Sequence, residues 1–188
     1  MSPTTAPAIS ALSADELERR IDELGTLLHA CVVAGASVNF VWPFSEDEAE
    51  SFWKRKVLPV VRTGTRTLFI AESAGRILGT VQLDVDTPPN QPHRAEVTKL
   101  LVHPDARRGG IARTLMGALE DRARALGRTL ITLDTRTGDS AEPLYASLGY
   151  VTVGTIPGYC IDPAGERLDA TTIMYKTLPS PSAATALL

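Results

Sequence analysis

Two stretches in the first third of the chain repeat apolar residues at helical spacing, and each follows a capping signal. Serine and glutamate stand three residues apart at 13–16 and again at 45–48, which is the spacing of a capping box. Apolar positions then recur one helical turn apart over 17–31 and 49–60. The pattern predicts two helices, and the second should end or kink at Pro59 because proline lacks the amide that a helix interior needs.

Two further helices are predicted in the second half of the chain. Residues 111–126 carry an apolar stripe, and Gly127 provides a stop for that helix. The charged residues between the stripe positions, Glu120 among them, are expected to face water. A shorter apolar pattern over 141–148 ends at Gly149 and predicts a short helix.

Between the helices the pattern changes to runs of β-branched and apolar residues, which are typical of strands. A turn at 73–76 joins two of these runs into a hairpin, and Pro88 with Pro89 ends the second run. The predicted strands are 67–70, 77–85, 94–103, 128–135 and one that begins at 150. Strands that precede, separate and follow helices predict an α/β fold.

The two ends of the chain differ in composition from its centre. Both ends are rich in serine, threonine, proline and alanine, which bury too little apolar surface to offset the entropy of ordering. We therefore expect disordered segments at 1–12 and 179–188. The 188-residue length and the 44% hydrophobic content predict a single domain, which would cover 13–178.

Charge and cysteine content narrow the classes of partner. A net charge of −3 argues against general binding to nucleic acid or to a membrane surface, because both need a basic excess. No apolar run reaches membrane-spanning length, and Met1–Ser10 lacks a signal-peptide pattern, so a cytoplasmic location is expected. In that compartment Cys31 and Cys160 are expected to stay reduced.

One short segment concentrates candidate chemistry. Residues 103–115 read His-Pro-Asp-Ala-Arg-Arg-Gly-Gly-Ile-Ala-Arg-Thr-Leu, so two arginines and two glycines stand where the long helix begins. A helix start has unpaired amides and partial positive charge, glycine lets an anion approach them, and arginine adds charged donors. The segment predicts a phosphate-binding site that is neither a P-loop nor a dinucleotide-binding glycine motif.

The order of motifs resembles that of the GNAT family of N-acetyltransferases. Arg107, Gly110 and Ala112 match the Arg/Gln-x-x-Gly-x-Gly/Ala signature of the family, and 144–150 matches its later Leu-Tyr-x-x-x-Gly-Phe/Tyr motif. The resemblance implies a mixed, mostly antiparallel twisted sheet flanked by helices, with acetyl-CoA as the acetyl donor. The cofactor contacts that it implies are Leu100, Leu101, Val102, Arg107, Arg108, Gly109, Gly110, Ile111, Ala112 and Tyr145.

Within that family, further segments look like those of the tabtoxin-resistance acetyltransferases. These segments are 35–40, 94–100, 133–135, 157–160 and 171–178. The likeness implies that the function is detoxification of a toxin or an antibiotic. One departure is Gly138, which stands where many family members carry an asparagine, and it puts one coenzyme contact in doubt.

Acetyl transfer to an amine needs a route for protons. An alkylammonium has a pKa near 10.4, so deprotonating it at pH 7 costs about 4.6 kcal/mol, and a nearby base helps. The resemblance implicates the carboxylates of Glu96 and Asp134 as the catalytic groups that remove the proton through water. Glu96 also fits a solvent-facing strand residue, and Asp134 a strand-end cap. Tyr145 occupies the family's Leu-Tyr position and is the candidate acid for the leaving thiolate, or else an ordinary core tyrosine.

Loop residues supply the candidate acceptor site. Ser37, Asn39, Phe40 and Tyr159 fall in segments that resemble substrate-facing loops, and packing between loops explains them equally well. Cys160 has no adjacent histidine or helix start that would make it a nucleophile. The histidines are scattered without metal-ligand spacing, so no metal is expected.

Taken together, these residues predict an enzyme that moves the acetyl group of acetyl-CoA to a primary amine of a small molecule by direct attack. The expected partner is that amine, without nucleic acid or membrane, and the family's frequent dimers leave a homodimer open. A non-catalytic acyl-CoA-binding regulator and an acetyltransferase of protein or peptide lysines remain alternatives. A nucleic-acid face built from the arginines near 107–128 is disfavoured by the net negative charge.

Overall fold

The chain folds around one seven-stranded sheet, in a computed structural model that describes residues 6–179. The strands are β1 (Ala8–Ala11), β2 (Arg66–Ser73), β3 (Arg76–Asp84), β4 (Arg94–Val102), β5 (Leu130–Arg136), β6 (Val151–Ile161) and β7 (Leu168–Thr177). Their order in the sheet is β1-β2-β3-β4-β5-β7-β6. Among the strands of the described residues, only β4 and β5 run parallel to each other, and the remaining neighbours are antiparallel. The predicted α/β fold with a mixed, mostly antiparallel sheet is confirmed.

Six α-helices connect and cover the strands of the described residues. They are α1 (Ala14–Arg19), α2 (Ile21–Val33), α3 (Glu46–Phe52), α4 (Leu58–Arg62), α5 (Ile111–Ala125) and α6 (Ala141–Ser147). Both predicted capping boxes are present, at 13–16 and 45–48. A π-helical segment, Trp53–Val57, joins α3 to α4, and Pro59 lies in the first turn of α4, where a missing amide costs little. None of the helices between residues 6 and 179 has the length and the apolar composition of a membrane span.

The sheet buries a different set of side chains on each face. On one face α5 packs Leu115 and Leu119 against Val81 of β3 and Ile131 of β5. On the other face α2 and α3 cover Leu68 of β2 and its neighbours. Because side chains alternate along a strand, each strand contributes to both cores. The start of α5 and the loop between α2 and α3 therefore lie on opposite sides of the sheet.

Strand β4 contains one extra residue relative to β3. Thr80 and Gln82 of β3, two residues apart, pair with Leu101 and Thr98 of β4, three residues apart. The extra residue forms a bulge at Lys99, whose φ of +52° lies in the left-handed region. The bulge shifts the alternation of side chains, so that the two halves of β4 obey different registers.

Strands β4 and β5 pair over a short length only. Their register joins residues 94–96 of β4 to residues 130–132 of β5. Beyond Glu96 the pairing ends, while β4 continues to Val102 beside β3 and β5 continues to Arg136 beside β7. The two strands thus separate toward their carboxyl ends and leave a gap in the middle of the sheet.

The amino end of the domain differs from the prediction. Ala8–Ala11 forms β1, which pairs with β2, so the expected disordered segment 1–12 is wrong for these residues. Leu12 is also buried, because it packs under α1 and α2. Residues 1–5 and 180–188 lie outside the described residues, and with them nearly all of the predicted tail at 179–188.

Candidate active site

The start of α5 presents backbone amides that the helix itself does not pair. The first hydrogen bond of the helix joins the Thr114 amide to the Gly110 carbonyl at 3.1 Å, so the amides of 111–113 have no partner within α5. Gly110 caps the helix at a φ of +81°, a left-handed conformation that favours glycine, and it has no side chain to occupy those amides. The helix dipole adds partial positive charge there, so this end can hold a phosphate.

The residues around this helix start differ in what they contact. Arg107 donates from Nε to the last carbonyl of β4 at 3.4 Å, and Arg113 donates to Ser147 Oγ of α6 at 2.7 Å. Arg108 and Gly109 are exposed beside the free amides. The Ile111 side chain is buried in the core, and Ala112 is half-buried beside it. Two exposed cationic side chains, Arg107 and Arg108, therefore flank the anion site, while the helix itself is anchored by its apolar face.

The gap between β4 and β5 exposes backbone donors of β4. The Lys99 carbonyl accepts from Thr80 Oγ1 at 3.1 Å, and the His103 amide donates to Leu78 at 2.8 Å, so both groups point toward β3. Because backbone direction alternates along a strand, the amides of Leu100 and Val102 point into the gap. The Leu101 amide points toward β3, and the Leu101 side chain is buried. Of the three predicted contacts on this strand, Leu100 and Val102 therefore have backbone amides that can donate to a ligand in the gap, and Leu101 does not.

Tyr145 lies on α6, in the core on the α5 side of the sheet. Its side chain is 5% exposed, and its ring packs against the ring of Tyr150 with centroids 5.7 Å apart. Burial, helped by the negative charges of Asp134 and Asp139, raises the pKa of Tyr145. The hydroxyl therefore keeps its proton at neutral pH and can donate it, and the same residue also packs as a core tyrosine.

The two candidate bases lie on one face of the sheet, opposite α5. Glu96 pairs in register with Thr132, and Asp134 follows two residues later on β5, so both carboxylates face the same side. Glu96 Oε2 lies 3.4 Å from an Arg94 guanidinium nitrogen, and the Asp134 carboxylate accepts from Thr171 Oγ1 at 3.1 Å. Both side chains stay accessible at the point where β4 and β5 separate.

Lys99 is a residue of this site that the sequence reasoning did not single out. Its Nζ stands 5.9 Å from the centre of the Phe40 ring and 5.6 Å from that of Phe52. Burial, with the charge of Arg66, lowers the pKa of Lys99 to about 8, and the charge of Asp134 opposes the shift. The sequence did contain an indication of this residue, because a lysine between Val97 and Leu100 is unusual in a buried strand. The bulge that directs the lysine toward Phe40 depends on the pairing with β3 and could not be read from the sequence.

The structure places the candidate acceptor residues at different distances from this centre. Phe40 belongs to it, because Phe40 packs on Phe52 and on Lys99. Ser37 Oγ lies 3.9 Å from Cys160 Sγ of β6, and Asn39 is exposed with a φ of +74°. Tyr159 is 53% exposed on β6. The sequence therefore located one aromatic wall of the site, while the roles of Ser37, Asn39 and Tyr159 stay predictions.

The two cysteines are not placed as nucleophiles. Cys31 donates to the Val102 carbonyl at 3.5 Å, and burial raises the pKa of its thiol to about 11, so it stays protonated. Cys31 and Cys160 are both free thiols. Across residues 6–179, no group of three or more histidine, cysteine, aspartate or glutamate side chains could hold a metal ion.

Comparison with known proteins identifies the fold and its chemistry. The sequence model of the acetyltransferase (GNAT) family matches residues 29–150. The chain belongs to the GNAT family. Among curated GNAT relatives, an uncharacterized N-acetyltransferase from the hisH-hisA intergenic region of Azospirillum brasilense is 34% identical over 139 residues, which cover 69% of this chain and 80% of that protein.

Solved GNAT structures share the fold at low sequence identity. The GNAT superfamily phosphinothricin acetyltransferase of Sinorhizobium meliloti, in complex with acetyl-CoA, has a TM-score of 0.73 at 19% identity over 98% of this chain and 94% of that one. An N-acetyltransferase of Staphylococcus aureus Mu50 has a TM-score of 0.75 at 17% identity over 93% of this chain and 100% of that one. The predictions of an acetyl-CoA-dependent acetyltransferase and of acetyl-CoA as the acetyl donor are confirmed.

Proposed function

We propose that this GNAT protein acetylates a primary amine of a small molecule by direct attack on acetyl-CoA. The observation that carries the proposal is the gap between β4 and β5, which connects two faces of the sheet that carry different functional groups. On the α5 face lie the unpaired amides of the helix start and Tyr145. On the opposite face lie Glu96 and Asp134. A coenzyme on one side and an amine on the other can therefore meet at the gap.

The residues of the α5 face fit the coenzyme on two counts. The free amides at 111–113, with Arg107 and Arg108 beside them, suit a pyrophosphate. The amides of Leu100 and Val102, directed into the gap, suit the carbonyl groups of an extended amide-bearing arm. Bound there, acetyl-CoA supplies the thioester from which the acetyl group is transferred.

The opposite face provides a route for the acceptor's proton. An ammonium acceptor must lose a proton before it can attack, at a cost of about 4.6 kcal/mol at pH 7 for a pKa near 10.4. Glu96 and Asp134 are accessible carboxylates on the side from which the amine approaches, and each can take that proton directly or through a water. As the amine bonds to the acetyl carbon and the bond to sulfur breaks, Tyr145 donates its proton to the departing thiolate.

The loop between α2 and α3 favours a small acceptor over a protein. The Trp42 amide donates to the Pro163 carbonyl at 2.8 Å, and Val41 packs against Gly165, so this loop contacts the turn between β6 and β7. We call the face of the sheet opposite α5, which carries Glu96 and Asp134, the acceptor face. The contact spans this face from α2 to the β6–β7 edge of the sheet. A bridged site limits access for a folded protein more than for a small amine, and this supports the small-molecule alternative.

The test is release of CoA from acetyl-CoA, followed by thiol detection, across a panel of amines. The panel holds tabtoxinine-β-lactam, phosphinothricin, aminoglycosides, polyamines, amino acids and a lysine-rich peptide. A single fast small acceptor supports the proposal, and a toxin or antibiotic in that place supports detoxification. Fast acetylation of the peptide alone favours the protein-lysine alternative. Tight coenzyme binding without release for any amine favours the regulator.

A homodimer is part of the proposal, on the evidence of β6. Among the described residues β6 pairs on one side only, with β7, and Val151–Ile161 contains no charged residue. Val153 and Ile161 of this strand are 66% and 54% exposed. A long, uncharged and apolar edge favours pairing with another copy. Light scattering tests this, with Val153→Lys as the variant expected to be monomeric. The cytoplasmic location and the absence of a nucleic-acid partner stay predictions from the sequence.

A further inference from the structure

The acceptor face contains more hydrogen-bond donors than acceptors around Lys99. The strand register places Leu68, Gln82 and Thr98 side by side on this face, next to Lys99. Gln82 is completely buried, and its Nε2 has no acceptor among the described residues. The Thr98 hydroxyl and Arg66 Nε are likewise buried without a partner there. Buried donors without acceptors leave an excess of positive partial charge beneath this face.

The acidic residues of this face are already engaged. Asp84 is in close contact with the Arg66 guanidinium, Glu96 faces Arg94 at 3.4 Å, and Asp134 accepts from Thr171. Within the described part of the chain, no carboxylate comes within 4 Å of Lys99 Nζ. The ammonium instead faces the rings of Phe40 and Phe52. It therefore carries a charge that the protein itself does not neutralise by an ion pair.

The position of Lys99 makes this charge useful to a substrate. On β4 it lies between Glu96, a candidate base, and Leu100, whose amide points into the gap. The bulge fixes it there, and the hydroxyl of Thr80 holds its carbonyl. An acceptor whose amine reaches the gap would thus have another part of its structure beside the Lys99 ammonium. A group placed there gains a charged hydrogen bond if it is an anion.

We propose that Lys99 binds a carboxylate of the acceptor, so that the substrates are amines that also carry an acidic group, as amino acids and ω-amino acids do. The inference rests on the proposed function, since it concerns the acceptor of the same reaction. Lys99 contacts the carboxylate directly, while the donors of Gln82 and Thr98 beneath it keep the local potential positive. The aromatic walls, Phe40 and Phe52, enclose the carbon chain between the two polar ends.

The experiment compares matched acceptors by the rate of CoA release. Each pair consists of an ω-amino acid, from glycine to 6-aminohexanoate, and its carboxamide, with the best acceptor of the panel and its own carboxamide added. We expect the wild type to prefer the carboxylate at least tenfold in kcat/KM, mainly through KM. Lys99→Met should bring the two within about twofold, and Lys99→Arg should retain part of the preference.

Lys54→Met is the matched control, because it removes the same charge from an exposed site on the outer helix surface. It should leave the preference unchanged, and the dissociation constant of acetyl-CoA should be the same in all variants. A wild type without preference for carboxylates overturns the proposal, and so does a preference that survives in Lys99→Met. Lys99→Gln serves as a second test if the methionine variant does not fold. If no amine is acetylated, the proposed function itself fails, which is a different result.

Discussion

Replacing Tyr145 with phenylalanine tests the acid role assigned to this residue. The substitution removes one hydroxyl and keeps the ring that packs on Tyr150 at 5.7 Å, so the core should change little. Burial raises the pKa of Tyr145, which means that the wild-type hydroxyl is protonated throughout the usual assay range. Any loss of activity then reports on the proton that the hydroxyl supplies, and the size of the loss should change little with pH because the hydroxyl does not titrate in this range.

The magnitude follows from the proton that the hydroxyl donates to the leaving group. General acid catalysis by a positioned side chain contributes about 100-fold or more, and about 100-fold corresponds to about 2.7 kcal/mol of barrier. From pH 6.5 to 8.5 the Tyr145 hydroxyl keeps its proton, so this advantage is present at every pH of the range. We therefore expect Tyr145→Phe to lower kcat about 100-fold, and the ratio of wild-type to variant kcat to stay nearly constant over this range.

The assay is steady-state CoA release at saturating acetyl-CoA, measured from pH 6.5 to 8.5. Tyr150→Phe is the control, because it removes the hydroxyl of the other ring in the same pair, and its kcat should match the wild type. A Tyr145→Phe kcat within about twofold of the wild type would refute the acid role. An equal defect in both variants would show that the rings act through packing alone.

Three other predictions concern stability and coenzyme binding. Gly110→Ala places a side chain at a φ of +81°, so it should lower the free energy of unfolding by about 1–2 kcal/mol and raise the KM for acetyl-CoA. Gly117→Ala adds its side chain in open space on α5 and should raise the free energy of unfolding by about 0.5–1 kcal/mol. Thermal melts with and without acetyl-CoA check both signs. Lys176→Met leaves the buried Glu120 carboxylate with Arg124 alone, and it should lower the free energy of unfolding in urea by about 3 kcal/mol. The double variant with Glu120→Gln should regain most of this loss. Additive losses in the double variant would argue against a buried pair. Burial lowers the pKa of Lys99 to about 8, so the folded chain binds fewer protons than the unfolded chain between about pH 8 and 10.5. The free energy of unfolding of the wild type should therefore rise by up to about 3 kcal/mol relative to that of Lys99→Met as the pH rises through this window. Urea titrations at pH 7.5 and 10 would show no such rise if Lys99 were solvated.

Local signals in the sequence were sufficient for the helices and for most strands. The capping boxes at 13–16 and 45–48 act within one turn of chain, so their serines and glutamates predict the helix starts directly. Gly110 and the free amides beside it are local in the same way. The strand β1 was missed because its stability comes from β2, more than fifty residues away in the chain, and not from its own composition.

Features that depend on distant partners could not be predicted in this way. Glu120 was expected to face water from its place on α5, yet it is 6% exposed because Lys176 of β7 donates to both of its carboxylate oxygens. Lys99 was passed over because only the pairing of β4 with β3 reveals the bulge. By contrast, Glu96 and Asp134 reach the same face of the sheet as neighbouring strands require, although the divergence of those strands is a tertiary property.

The bulge at Lys99 divides β4 into two parts that can change independently. After the bulge, the proposed coenzyme contacts are the backbone amides of Leu100 and Val102, and those amides are present whatever side chain other than proline the positions carry. Before and at the bulge, the side chains of Glu96 and Lys99 face the side of the sheet where the proposed acceptor binds. A library that varies positions 96 and 99 together with the Phe40 loop should therefore explore new acceptors while the grip on the coenzyme stays intact. Deleting Lys99 would instead restore one uninterrupted alternation along β4, leave both halves on their present faces, and remove the ammonium group from beside Phe40 and Phe52.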